Sequence, residues 1–188
     1  MARYRPGIET RDRILAATRE LLGEVGLDGT TIKAICGRAR VQPGSFYNLF
    51  ESKDEAVLTV IGQAITAVDP HPEGVGKDSI AELVDAYLRF VTGQPDLAKI
   101  YLQLAVSGGL TDPALAHRML GHHHRRVGRF SDAMRRDHPE LSPDESRLRT
   151  EHLLATLNGL AFVSLLDADF DLVGHVQALP FLWRDARL

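Results

Sequence analysis

Nowhere along this chain do apolar and polar residues alternate for long, whereas apolar residues three and four apart recur from end to end. That pattern commits the chain to an all-α fold. Helix starts are also written into it. Ser52-Lys53-Asp54-Glu55 and Ser142-Pro143-Asp144-Glu145 each place Glu three residues after Ser, so that hydroxyl and carboxylate can satisfy the first free amides reciprocally. Asp112-Pro113 and Ser142-Pro143 put proline in a first helical turn, where its missing N–H costs nothing.

These signals predict about nine helices. Thr10 can cap the first, with Ile14, Leu15, Leu21, Leu22 and Val25 inward until Gly26 stops it. Thr30 or Thr31 caps a short second helix that turns Ile32, Ile35 and Cys36 inward. A tight connection leads to a third helix opening at Pro43, and the fourth runs from Ser52 to about Val68. The segment DPHPEGVGKD, residues 69–78, is a loop by its Pro and Gly content. Longer helices follow, over about 79–91, 95–107, 112–136, 142–166 and 172–186, the last interrupted by Pro180. A boundary near residue 54 is expected, with a small module over 1–54 and a larger helical domain over 55–188.

Charge is unevenly distributed. The chain carries a net −3, but the residues up to Lys53 are cationic by three, leaving −6 for the rest. A basic N-terminal portion on an acidic body suggests that this portion meets a polyanion. No apolar run is long enough to span a bilayer, and MARYRPGIETRDR has no apolar signal core, so no membrane partner is expected. The single cysteine, Cys36, cannot form an intramolecular disulfide and suits a reducing cytoplasm. It reads as a small core residue.

The stretch VQPGSFYNLF, residues 41–50, is the most informative. Phe46 and Phe50 lie four apart and can anchor a short helix to the two before it. Pro43 is pre-set for the first helical position, and Gly44 leaves room for a phosphate backbone. Gln42, Ser45, Tyr47 and Asn48 remain to face outward. A helix that enters the major groove needs this division, hydrogen-bonding residues outward and apolar residues inward.

Residues 10–61, TRDRILAATRELLGEVGLDGTTIKAICGRARVQPGSFYNLFESKDEAVLTVI, resemble the N-terminal DNA-binding domain of the TetR family of transcriptional regulators. The shared pattern comprises the first-helix stripe, the paired threonines, the Gly-Ser-Phe-Tyr core of helix three, Phe50 and the Ser-Lys pair before helix four. The resemblance implies that Thr30 and Thr31 meet the DNA backbone at a helix N-terminus. It places Gln42, Pro43, Ser45, Tyr47 and Asn48 on the groove face, with Tyr47 and Lys53 on phosphate. Arg3 and Arg5 resemble the basic arms of some members. The family usually has Gly where this chain has Arg40; a left-handed Arg40 would be strained but could gain a phosphate contact. Gln42 stands where Ser or Thr is common, and Pro43 where Lys is common. These departures bear on base preference more than on fold.

The remainder resembles the family in architecture, a helical effector-binding and dimerisation domain. The eighth helix has two apolar sides, Leu154, Leu157, Ala161 and Leu165 on one, and Ala155, Gly159, Phe162 and Leu166 on the other. Two faces need two partners, the domain's own core and the same helix of a second copy. The expected assembly is a homodimer that reads a near-palindromic operator in double-stranded DNA. In the family a small-molecule effector enters among helices five to eight, helix four moves, and the operator is released. Expected lining residues are Tyr87, Phe90, Tyr101, Gln103, Met119, Phe130, Asn158 and Phe162.

The run His122-His123-His124 does not favour a metal site, because consecutive helical residues point about 100° apart. It reads instead as a polar face continuing through Arg125, Arg126 and Arg129. No metal, cofactor or catalytic residue is expected. A metal-dependent bundle enzyme would need His and carboxylates at i, i+3 or i+4, and an interaction module without DNA binding would leave the order of Thr30, Gly44, Tyr47 and Lys53 as coincidence. The expected function is a ligand-responsive transcriptional regulator, a repressor.

Overall fold

The computed structural model describes residues 5–71, 76–108 and 110–179, and among them every regular element is helical. The order is α1 Arg5–Gly29, α2 Ile32–Ala39, α3 Pro43–Tyr47, α4 Lys53–Ala67, α5 Ile80–Gly93, α6 Pro95–Gln103, α7 Pro113–Asp137, α8 Pro143–Leu166 and α9 Leu172–Gln177. A π-helical turn, Leu104–Gly108, continues α6 with a wider hydrogen-bond register. The chain forms two compact units. The first takes in the described residues through Ala64 together with Asp96–Leu104; the second takes in Ile65–Pro95 and the described residues from Ala105 onward.

Two expectations about α1 change. The helix begins at Arg5, so Thr10 lies inside it and is not its cap; Pro6, in the first turn, is the start signal. Gly26 does break the helix, with φ 68° and ψ −171°, a conformation open to glycine. Val25, expected inward, is 52% exposed, and Leu27, beyond the break, is buried in its place. Arg3 lies outside the described residues. So do the expected continuation of the ninth helix to Ala186 and its interruption at Pro180; α9 ends at Gln177.

The first unit is organised around Ile14, Ile35, Phe46, Val57 and Ile61, all essentially without solvent exposure. Burying each such side chain stabilises the fold by about 1.5–3 kcal/mol. The buried Thr18 satisfies its hydroxyl on the Ile14 carbonyl, 2.8 Å away, and so costs the core little.

The second unit buries Ile80, Met134, Leu153, Leu154, Leu157 and Val176. Its helix starts are capped by the expected chemistry. Ser142 Oγ accepts from the Glu145 amide at 3.3 Å while Glu145 accepts from the Ser142 amide at 2.9 Å. Ser79 and Glu82 make the same reciprocal pair at the start of α5. At α4, Ser52 Oγ accepts from the Glu55 amide, and Glu55 reaches back to the amide of Glu51.

The connection between α4 and α5 is held by charge. Arg129 on α7 grips Asp69 with both terminal nitrogens, at 2.5 and 2.6 Å, and donates from Nε to Asp78 at 2.8 Å. Arg136 donates to the Asp78 carbonyl, and the Asp137 carboxylate accepts the Ile80 amide at 2.8 Å. Arg129 was expected on a solvated face with Arg125 and Arg126. Of the three only Arg125 is exposed, because Arg126 lies four residues before the buried Phe130 and Arg129 four before the buried Ala133.

Candidate functional site

The second and third helices are joined by a turn whose backbone chemistry is complete. Beyond α2 the Val41 amide donates to the Cys36 carbonyl at 3.0 Å and the Arg40 amide to the Gly37 carbonyl at 3.3 Å. These paired bonds are a Schellman closure, which needs a left-handed residue. Arg40 supplies it, at φ 54° and ψ 49°. A Cβ there costs about 1 kcal/mol relative to glycine. The Arg40 side chain is exposed and has no protein partner among the described residues. Arg40→Gly is expected to raise stability by about 1 kcal/mol, read as a higher urea midpoint. A lower midpoint would refute the strain assignment.

Thr31 caps α2, accepting the Ala34 amide at 3.1 Å, and it is exposed. Thr30 is different. It is fully buried and its hydroxyl donates to the Gly26 carbonyl at 2.7 Å. Its side chain ties the end of α1 to the start of α2 and is not available to a phosphate.

α3 has only five residues, and Gln42 gives it no side-chain cap. Its position is fixed by aromatic packing. Phe46 is entirely buried and Phe50 nearly so, their ring centroids 5.6 Å apart. The Arg11 guanidinium lies 5.5 Å from the Phe50 ring centroid. Tyr47 meets Phe46 edge to face at 5.7 Å yet is 58% exposed. Gln42, Pro43, Gly44 and Asn48 are exposed beside it, and Ser45 is half-buried. A Cβ at Gly44 would meet nothing within 4 Å, so no contact within the chain demands glycine there.

The cations around this surface divide into used and free. Arg38 pairs with Glu24 at 2.7 Å and Glu20 at 3.1 Å, which holds the Glu24 carboxyl below its ordinary range. Lys53 is half-buried and donates to the Leu27 carbonyl at 3.0 Å, fastening α4 to the end of α1. An ammonium has three donors, so two remain. Lys33, exposed on α2, has no partner among the described residues. It was missed in the sequence because its lone charge carries no motif; its spacing two residues past the Thr31 cap was the available signal.

In the second unit, three expected effector residues come together. Tyr87 Oη lies 3.1 Å from the Leu157 carbonyl and 3.3 Å from Asn158 Oδ1, and Phe130 is buried nearby on α7. The group that joins them was not foreseen. Arg126 stands 4.8 Å from the Tyr87 ring centroid and 6.0 Å from that of Phe130, and donates to Asn158 Oδ1 at 3.3 Å. Phe90 is buried and Met119 half-buried, while Phe162 is 52% exposed. Tyr101 and Gln103 belong to the first unit.

α8 keeps the two faces read from its sequence. Leu154, Leu157 and Ala161 are buried, whereas Ala155, Gly159, Phe162 and Leu166 are exposed, Leu166 by 72%. Leu148, 54% exposed, extends that outward stripe toward the helix start. Among the described residues no cluster of His, Cys, Asp or Glu is arranged to hold a metal ion, and no helix is long and apolar enough to cross a membrane.

A three-helix unit that displays a short polar-faced helix after a tight Schellman turn is a helix-turn-helix module. The family model for bacterial regulatory proteins of the tetR family matches residues 14–59. The HTH-type transcriptional regulator UidR of Escherichia coli K12 is 30% identical over 156 residues, covering 79% of this chain and 77% of UidR. Among solved structures, full-length tylp, a tetR regulator from Streptomyces fradiae, aligns with a TM-score of 0.66 at 24% identity, over 94% of this chain and 85% of that one. The complex of SmeT, from Stenotrophomonas maltophilia, with triclosan aligns with a TM-score of 0.69 at 19% identity, over 92% and 89%. The chain belongs to the tetR family of DNA-binding transcriptional regulators.

Proposed function

We propose that the chain works as a homodimeric repressor in the cytoplasm, bound to a near-palindromic operator and released from it by a small-molecule effector. The observation that carries this reading is the division of residues 42–50 into buried anchors and an exposed polar face. Phe46 and Phe50 immobilise α3, and Tyr47, Gln42, Pro43, Ser45 and Asn48 meet the major groove. The open approach to Gly44 leaves space for a sugar-phosphate strand. Thr31, Arg40, Lys33 and the remaining donors of Lys53 take phosphates on either side of α3. Reading DNA belongs to residues 1–54; effector binding and dimerisation belong to 55–188. No catalytic role is assigned.

The dimer is supported by the outward stripe on α8. Ala155 and Gly159 are small at i and i+4, and a Cβ at Gly159 would meet nothing within 4 Å, so a partner helix can approach closely there. Phe162 and Leu166 supply the apolar area that such a contact covers. Two reading heads about 34–36 Å apart would then address successive major grooves. An effector held in the second unit, near Tyr87, Phe90, Met119, Phe130 and Asn158 of α5, α7 and α8, acts through α4, whose last turn belongs to that unit. That the neighbour SmeT is captured in a complex with triclosan supports a small-molecule ligand.

Selection of bound fragments from a random DNA pool tests the reading. A recovered near-palindrome is expected, and the absence of any enrichment would overturn it. On that sequence Tyr47→Ala should weaken binding at least tenfold with an unchanged melting temperature; wild-type affinity would remove Tyr47 from the interface. Leu166→Glu combined with Phe162→Glu should convert the protein to monomers in sedimentation, and a dimer that persists in the double variant would exclude this face.

A further inference from the structure

Arg126 and Arg129 sit three residues apart on α7, both half-buried, and their surroundings differ in kind. Arg129 is neutralised by two carboxylates, Asp69 and Asp78. Arg126 has no carboxylate within ion-pair distance among the described residues. Its contacts are two aromatic rings and one hydrogen bond at 3.3 Å to Asn158 Oδ1. A guanidinium has five N–H donors in a planar fork, so four have no protein partner among the described residues. A partly desolvated cation without a counter-charge is an unfavourable arrangement unless an anion completes it.

The groups around Arg126 are donors as well. Asn158 Oδ1 faces the Arg126 guanidinium, which can only donate and so fixes the orientation of the amide; the Tyr87 hydroxyl, 3.3 Å away, shares its one proton with the nearer Leu157 carbonyl. Asn158 Nδ2 therefore carries two N–H donors with no partner among the described residues. His122 lies one turn before Arg126 on the same face of α7, half-buried and likewise without a hydrogen-bond partner there. Burial, reinforced by Arg125, lowers the pKa of His122, so near neutral pH it is an uncharged imidazole that can donate one hydrogen bond. The spare donors of Arg126 and Asn158 thus meet beside the apolar surfaces of Tyr87 and Phe130.

We propose that Arg126 and Asn158, flanked by the rings of Tyr87 and Phe130, form a carboxylate-binding subsite, so that the effector is a small organic acid with an apolar body. The fork of Arg126 takes the carboxylate oxygens, Asn158 Nδ2 donates to one of them, and the rings cover the adjoining carbon skeleton. This inference deepens the ligand-release reading above and rests on it.

The test uses the full-length protein and three matched pairs of probes: benzoate and benzamide, phenylacetate and phenylacetamide, octanoate and octanamide. Each is titrated by thermal shift and calorimetry, with and without operator DNA. At least one carboxylate should raise the melting temperature while its amide does not. Arg126→Gln should weaken binding of that acid at least tenfold, and Arg126→Lys should recover less than half of the thermal shift, because a point charge lacks the fork. Asn158→Asp gives a second variant should the first not fold. It supplies an internal counter-charge, so it should raise the ligand-free melting temperature and abolish the response to acid. The proposal is overturned if no acid shifts the protein, if acid and amide bind alike, or if binding survives these substitutions. An amide that releases operator would preserve the ligand-release reading and remove this one. An Arg126-dependent response to acid in a protein that enriches no DNA would do the reverse.

Discussion

Arg129→Met is expected to destabilise the protein by about 3–5 kcal/mol, the usual cost of removing one partner from a buried ionic cluster. The arginine side chain is 26% exposed, Asp69 13% and Asp78 0%, so water cannot fully replace the lost cation. Asp78 is especially vulnerable, because its Oδ1 has no hydrogen-bond partner among the described residues and its Oδ2 depends on Arg129 Nε. The deficit should also vary with pH. Hydrogen bonds from Arg129 hold the Asp69 carboxyl below its ordinary range. Stability from a lowered carboxyl is complete above the unfolded pKa of about 4 and is lost as pH falls through the lower folded value. The difference between wild type and Arg129→Met should therefore be nearly constant from about pH 5 to 7 and shrink toward pH 2. Urea midpoints across that range check both parts. A loss under about 1 kcal/mol, or a deficit that grows in acid, would show that the clasp is not what holds the α4 to α5 connection.

The same clasp shows where reading the sequence stops. The capping box at Ser142, the first-turn proline at Pro113 and the i, i+4 aromatics at Phe46 are local and are recovered where they are expected, whereas at Ser52 the Glu55 carboxylate takes the Glu51 amide. Arg129 and Asp69 are 60 residues apart, and no periodicity links them. The arginines after the histidine run therefore looked like one solvated face. Helical spacing separates them, since Arg126 shares a face with Phe130 and Arg125 does not. Thr30 and Thr31 make the complementary point. Both are good cap residues, and only the break at Gly26 decides that Thr30 turns inward to its carbonyl while Thr31 caps α2. The two sides of α8 were legible because each repeats over several turns. Which side the chain itself covers is set by α7 and α9, and the structure assigns it to Leu154, Leu157 and Ala161.

Phe46→Ala is expected to cost about 3–5 kcal/mol and to abolish operator binding, whereas its neighbour Tyr47→Ala should change stability by less than about 0.5 kcal/mol. The contrast follows from α3 itself. A helix of five residues with no side-chain cap is far below the length at which helical structure persists alone. It is held by what lies beneath it, and Phe46 is its one fully buried side chain. Removing that ring leaves a cavity against Phe50 and frees α3 from α1 and α2, so the polar face loses its orientation even though every proposed DNA-contacting residue is still present. Tyr47 is more than half exposed and contributes little to the core, so its loss is felt only when DNA is bound. Amide exchange would separate the two variants. Phe46→Ala should accelerate exchange at the amides of Ser45, Asn48 and Phe50, which donate within this segment to Gln42, Gly44 and Phe46. Tyr47→Ala should leave those rates near wild type. Equal destabilisation by the two substitutions would mean that α3 is held by both rings alike, and the division between anchor and reading face would fail.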